Sequence, residues 1–360
     1  MIPSRLLATV AAAALTLSLA LPAPRAEAAQ KSDFKVCWTI YAGWMPWDYA
    51  AASGIIDKWA AKYDIKIDVV QINDYIESIN QYTAGAFDGC SMTNMDALTI
   101  PAAGGVDSTA LIIGDFSNGN DGIVIKGEGK GVADLKGMSV NLVELSVSHY
   151  LLARGLESVG LAERDLRVVN TSDADLVAAF ATPGVQAVVT WNPLLAEVAA
   201  MPGVSKVFDS SQIPGEIIDL MVVNSDTLAA NPAFGKALVG AWYEVMAVMS
   251  ADTPEGRAAR EHMAAASGTD LAGYEAQLAA TRMFYNAADA VAFATSDDLP
   301  ATMSKVAAFS FEHGLLGEGA RSVEAIGMSF ANGVSTGDTA NLKLRFDPSY
   351  MQMAADGTLD

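Results

Sequence analysis

The feature that most restricts the fold is a repeated change of hydrophobic period between residues 34 and 191. FKVCWTIYAG (34–43) reads as a strand, DYAAASGIIDKWAAKY (48–63) as a helix and IKIDVVQI (65–72) as a strand. IESINQYTAGA (76–86) is again helical, and DGCSMTN (88–94) is a short strand. Strands that alternate with helices pair in parallel through crossover connections, so a helix-covered parallel sheet is expected. STALIIGDF (108–116) and DGIVIKG (121–127) add strands. A second series then runs through the helix SVSHYLLARGLESVG (146–160), the strand LRVVNTS (166–172), the helix DADLVAAFATPG (173–184) and the strand QAVVTW (186–191). After PGEIIDLMVVNSD (214–226) the chain turns alanine-rich and helix-periodic as far as residue 330.

These patterns predict an α/β chain of two lobes. The first lobe begins over residues 29–124, the second covers 125–221, and 222–360 returns to the first lobe with a helical region packed on it. The size agrees, since 360 residues of which 51% are apolar exceed what one compact core usually holds.

At the amino end, Arg5 precedes the apolar run LLATVAAAALTLSLALPAP (6–24), and Ala26-Glu27-Ala28 forms a small-residue cleavage pattern. Residues 1–28 are therefore expected to be an export signal cleaved after Ala28. No cysteine stands at that point for lipid attachment. A soluble periplasmic protein, not inserted in the membrane after cleavage, is the expectation. Cleavage removes two of 22 basic and one of 42 acidic residues, leaving 20 against 41 and a formal charge of −21. Nucleic acid and anionic lipid are thereby disfavoured as partners. The two cysteines, Cys37 and Cys90, are an even number in an exported chain, and a bridge or two buried thiols both fit.

Catalytic and metal-binding signals are sparse. GEGKGV (127–132) lacks the lysine and hydroxyl residue that end a phosphate loop. DFSNGNDG (115–122) places its acidic and amide residues off the alternation of a calcium loop. His149, His262 and His313 stand at no metal-ligand spacing. No metal site, cofactor or catalytic residue is expected.

The order of an exported α/β lobe, a second α/β lobe and a helical return resembles the solute-binding proteins of ABC importers, especially the nitrate, sulfonate and taurine type. The resemblance covers essentially all of the chain after residue 28. It rests on Gly43-Trp44, GAFDGCSMTNMDAL (85–98), GIVIKGEGKGVADLKGMSVNLVE (122–144), TWNPLLAE (190–197) and IDLMVVN (218–224). More narrowly, GWMPWDYA (43–50), QINDYIESINQYTAG (71–85) and TNMDALTIPAAGGVDSTALIIGDFSNGNDG (93–122) resemble a subfamily described as urea importers, which accompanies urea carboxylase and guanidine-degrading enzymes. The resemblance implies a type II periplasmic-binding-protein fold, a permease partner in the inner membrane, and a small solute held between lobes that close on it.

In such a fold the ligand lies at the carboxyl ends of the strands. Trp44 and Trp47 directly follow the first strand, with Pro46 between them, and are candidate cleft residues; as an i, i+3 pair they would equally suit a helix face in the core. Asn94 and Asp96 end the third strand, although Asp96 would also serve as a helix cap. Asp121, Glu144, Trp191 and Asp219 complete the candidates. Glu144 stands just before a helix start, where relatives that bind anions use hydroxyls and free amides.

These residues offer aromatic faces and oxygen acceptors without arginine or lysine. They favour a small planar nitrogenous solute, guanidine or a guanidino compound ahead of urea. A pyrimidine precursor of thiamine, or a pyrimidine-synthesising enzyme of the same fold, is the alternative.

Overall fold

The computed structural model describes residues 31–359, so the export-signal reading over residues 1–28 lies outside the described residues. Strand β1 (Asp33–Trp38) opens the first sheet, with Asp33 and Lys35 in water and Val36, Cys37 and Trp38 enclosed. Helices α1 (Met45–Ala52) and α2 (Ile55–Lys62) occupy the stretch expected to be one helix. Gly54, at φ 75°, turns the chain between them in the left-handed region that glycine enters without a Cβ clash. Helix α1 also begins earlier than the pattern suggests, because Pro46 sits in its first turn, where a missing N–H leaves no bond unmade. Trp47 is therefore a helix residue and not a loop residue.

Strand β2 (Lys66–Gln71), helix α3 (Tyr75–Thr83), strand β3 (Gly89–Thr93), the one-turn helix α4 (Asn94–Ala97) and strand β4 (Ser108–Ser117) follow. Asp74 caps α3 by accepting the Glu77 N–H at 2.9 Å. Strand β1 pairs in parallel with both β2 and β3. Cys37 and Cys90 are register partners in the β1–β3 pair and form a disulfide across a Cα separation of 4.4 Å.

The chain then enters a second sheet made of β5 (Asp121–Lys126), β6 (Ser139–Leu142), β7 (Arg167–Asn170), β8 (Ala187–Trp191) and β9 (Val204–Asp209), in the order β7-β6-β8-β5-β9. Helices α5 (Val147–Ser158), α6 (Asp173–Ala181) and α7 (Leu194–Ala199) belong to this part. Strand β10 (Ile218–Asn224) returns to the first sheet between β3 and β4. Parallel sheets are what the sequence pattern predicts, yet β5 and β10 each run antiparallel to both neighbours. Each enters its sheet from the other one, starting at the edge where neighbouring strands end, so its direction is reversed.

Helices α8 (Ser225–Ala230), α9 (Pro232–Ser250), α10 (Pro254–Ala266), α11 (Leu271–Ala279), α12 (Ala287–Ala294), α13 (Asp298–Glu312) and α14 (Ser349–Ala355) form the remainder. Four short strands, β11 (Thr281–Met283), β12 (Gly327–Ser329), β13 (Ser335–Thr336) and β14 (Leu342–Phe346), extend the first sheet to the order β13-β12-β14-β4-β10-β3-β1-β2, with β11 paired to β4. Helix α9 seats on α2, and a Cβ added at Gly240 would stand 2.3 Å from the Trp59 ring. The Trp59 Nε1–H donates to Glu244 at 2.7 Å. Among the described residues no helix is long and apolar enough to cross a membrane.

Candidate functional site

The strand ends that meet between the two sheets carry carboxylates. Asp219, the second residue of β10, is the register partner of Asp115 on β4 and of Thr93 on β3. Directly opposed antiparallel residues project on one face, so these three side chains form a row. From the second sheet, Asp121 at the start of β5 is paired with Trp191 at the end of β8. Asp121, Asp219, Thr93, Trp44, Tyr75 and Trp191 line one cavity, closed by Tyr41, Val147 and Ile217. The centre of a water-sized sphere can move over only ≈ 10 Å³ inside it, close to the least volume that holds one water.

Aromatic rings make the walls continuous. Trp44 meets Tyr41 edge-on at 5.1 Å and Tyr75 at 5.7 Å, and Tyr75 meets Trp191 edge-on at 5.5 Å. The Tyr75 hydroxyl donates to Asp96 Oδ2 at 2.7 Å and accepts the Thr93 N–H at 3.0 Å. The Thr93 hydroxyl also donates to Asp96, at 2.8 Å. Asp96 thus lies behind the wall and fixes the two residues that face inward. Gly43 lets the tryptophan loop approach the carboxylates, since a Cβ there would stand 2.4 Å from Asp115 Oδ2.

The electrostatics are unusual for a protein interior. Among the described residues, no lysine or arginine pairs with Asp115, Asp121 or Asp219. Burial pushes Asp115 and Asp121 each up to about 7, with hydrogen bonds from Asp219 and Tyr41 opposing the rise at Asp115 and one from Ser117 opposing it at Asp121. Burial, then the Asp115 charge, holds Asp219 well above the usual carboxylate range. Asp96 rises only to about 6, because the Tyr75 and Thr93 hydroxyls offset part of its burial. Oδ2 of Asp115, Oδ2 of Asp219 and Nε1 of Trp44 have no protein hydrogen-bond partner among the described residues. Burial and the mutual charge of Asp115 and Asp219 keep the pair from ionising together, so it retains a proton that exposed carboxyl groups would release.

Of the eight candidates, Trp44, Asp121, Trp191 and Asp219 converge on the cavity. Asp96 stands one layer behind it. Asn94 donates to the Glu216 carbonyl at 3.1 Å and accepts the Ile218 N–H at 3.0 Å, so its amide is spent on pinning the entry to β10. Trp47 packs on Trp242 of α9 with ring centroids 5.0 Å apart and is fully enclosed. The early start of α1 aims it there. Glu144 is exposed and borders a separate surface depression with Asp74, Asn170 and Asp173. Its chain turns through Leu145, at φ 64°, before Ser146 caps α5, and Val147 is the residue delivered to the cavity instead.

Tyr41, Tyr75, Thr93 and Asp115 are the lining and supporting residues that sequence patterns did not single out. Tyr41 shares the loop of Trp44, which was a usable signal. Asp115 was legible only through the β4–β10 register.

No family model matches the chain. A Brucella abortus (strain 2308) protein named as a binding protein is 29% identical over 147 residues, 40% of this chain and 45% of that one. The chain thus spans a little under half the length of that relative. An Escherichia coli (strain K12) protein named as an aliphatic sulfonates-binding protein is 36% identical over 103 residues, 29% of this chain and 30% of that one. Among solved structures, the alkanesulfonate-binding protein of Xanthomonas axonopodis pv. citri superposes with a TM-score of 0.66 at 18% identity, covering 81% of this chain and 96% of that one. A desulfurization enzyme superposes with a TM-score of 0.53 at 15% identity, covering 78% and 93%. These likenesses establish the two-lobe α/β fold of periplasmic binding proteins.

Proposed function

We propose that this chain is the periplasmic solute receptor of an ABC importer, and that it captures guanidinium or a small guanidino compound between its lobes for delivery to a membrane permease. The observation that carries the reading is a pair of buried carboxylates, Asp121 and Asp219, lining an aromatic cavity, with Asp115 buried beside Asp219 and no basic partner for any of the three among the described residues. Buried carboxyl groups must hold protons or meet a cation. Guanidinium brings the charge together with a planar fork of N–H donors matched to carboxylates. The ring faces of Trp44 and Trp191 would cover its plane, each contributing about 1–2 kcal/mol when desolvated. Because Asp121 comes from the second sheet and Asp219 from the first, one solute would tie the two lobes together.

Urea is the second reading, favoured by one feature. The proton between Asp115 and Asp219 gives an O–H donor for a carbonyl, which urea has and guanidinium lacks. A sulfonate, the solute in the name of the Escherichia coli relative, would bring an anion against the Asp121 and Asp219 carboxyl groups with no lysine or arginine among the described residues lining the cavity to receive it. At this lobe spacing the cavity has room for about one water, so each of these solutes, guanidinium included, would enter only when the lobes part. Catalysis has little to act with among the described residues, since Cys37 and Cys90 are bonded to each other and none of their histidines lines the cavity.

Calorimetric titration with guanidine, methylguanidine, urea, taurine and hydroxymethylpyrimidine tests the assignment. Saturable binding of guanidine, lost in Asp219→Ala, is expected. Tighter binding of taurine or of the pyrimidine would overturn it.

A further inference from the structure

Away from the cavity, α13 meets the second lobe through a cluster of His149, Glu163 and His313. Their ligating atoms lie within 4.8 Å of one another. His313 follows α13, whose Phe309 stacks on it at 4.0 Å and meets His149 edge-on at 5.9 Å. Glu163 sits just before β7 of the second sheet, and His149 lies in the first turn of α5.

Three of the four ring nitrogens have hydrogen-bond partners, and the fourth, His149 Nε2, makes only an ion-pair contact with Glu163. The Leu145 N–H donates to His149 Nδ1 at 3.1 Å, so Nδ1 keeps its lone pair and the ring carries its proton on Nε2, 3.1 Å from Glu163 Oε2. His313 Nδ1 lies 2.8 Å from the Phe309 carbonyl, which only accepts. His313 Nε2 lies 2.8 Å from Glu163 Oε1. Both nitrogens of His313 therefore need protons if Glu163 is ionised. Burial works against the Glu163 charge, but hydrogen bonds and charge from His149 and His313 keep its carboxyl below the usual range. The same count argues against a metal ion, because a ligating His149 Nε2 would have to shed its proton while Nδ1 faces an N–H donor.

We propose that His149, Glu163 and His313 form a proton-binding site that latches α13 to the second lobe, with the extra proton held on His313. Remove it and the His313 Nε2 lone pair faces a carboxylate oxygen. The latch needs this proton, so its stabilisation is present at low pH and is lost once the proton leaves. The groups facing His313 are the Glu163 carboxylate, the His149 ring at 5.2 Å and its own helix's Phe309. Arg154, Glu157, Arg164, Lys305 and Glu312 border the adjoining groove.

The test compares solute-free wild type with His313→Gln and Glu163→Gln by melting temperature from pH 5.5 to 8. Carboxyl groups of the main cavity titrate alike in all three and cancel in the differences. Wild type should exceed His313→Gln by about 2 °C or more at pH 5.5, and the gap should close by pH 8. In Glu163→Gln the amide can donate to a neutral His313, so its seam should hold without that pH dependence. Ring-nitrogen NMR of wild type at pH 6 should find His313 protonated on both nitrogens and His149 on Nε2 alone. A pH-independent gap, a singly protonated His313 at pH 6, or stoichiometric zinc binding lost in His313→Gln would each overturn the proposal.

Discussion

Asp115 and Asp219 stand directly opposite each other on antiparallel strands β4 and β10, buried and, among the described residues, without a basic partner, so the pair retains protons that exposed carboxyl groups would release. This arrangement sets the pH behaviour of the solute-free protein. Folded-state values near 7 for Asp115 and Asp121 exceed the unfolded value of 3.8. The contribution of these two groups to stability is then full below about pH 4 and declines as pH rises toward about 7, because the unfolded chain releases protons that the folded chain retains. For Asp121 alone the loss is on the order of 4 kcal/mol, at about 1.4 kcal/mol per pH unit. Melting temperature should fall from pH 5 to pH 8, and Asp219→Asn should flatten the curve. A curve that climbs over this range would contradict the arrangement.

Guanidinium capture should strengthen as pH rises from 5 to 8, because the cation takes the place of protons on Asp115, Asp121 and Asp219. For each proton displaced, affinity gains up to about tenfold per pH unit below the group's own titration point. Calorimetry in two buffers of different ionisation enthalpy should register proton release. Urea, which draws on the retained proton, should show the opposite trend.

Trp44 and Trp47, three residues apart, should respond differently to truncation. Trp44→Ala removes a cavity wall and is expected to weaken guanidinium binding about tenfold or more, given about 1–2 kcal/mol for a desolvated ring face. Trp47→Ala empties the contact with Trp242 and should cost about 3–5 kcal/mol of stability while leaving the affinity of folded protein nearly unchanged. Paired melting and titration curves read both effects.

Glu144→Gln should change guanidinium affinity by less than about twofold, since its carboxylate is solvent-exposed outside the cavity lining and screened by salt. Titration at two ionic strengths is enough to check this.

The Cys37–Cys90 bridge, with a sequence separation of 53, closes a segment that contains both Trp44 and Trp47. Reduction should lower stability by about 2–4 kcal/mol, chiefly by freeing the unfolded chain. A melting curve with and without reductant, with thiol counting to verify cleavage, measures it.

The two-lobe architecture was legible because strand and helix periods alternate over long stretches; Trp44 was legible from the loop after the first strand and Asp121 from a turn-rich loop, whereas Trp191 and Asp219 were legible only through the family resemblance. Direction was not, since the reversal of β5 and β10 follows from passage between sheets, which leaves no mark on local period. The same holds for Asp115, which reads as one polar residue within an apolar strand until β10 is placed beside it. Trp47 and Glu144 show a further reason. One turn of helix begun at Met45 sent Trp47 to the core, and a left-handed Leu145 put Val147 where Glu144 was expected. Strands of two to five residues, such as β12, β13 and β14, are too short to display a period at all.

The place of β14 beside β4 has a consequence for how the chain assembles. All five strands of the second sheet come from residues 121–209, so that sheet can form from one contiguous stretch. The first sheet needs strands from residues 33–38 and 342–346 together, and contacts so distant along the chain form slowly because a long loop must close first. Residues 121–209 are therefore poised to acquire structure early, while the row of Asp115, Asp219 and Thr93 waits for β10 to slot between β3 and β4. Kinetically, the acidic row is among the last parts of the fold to exist.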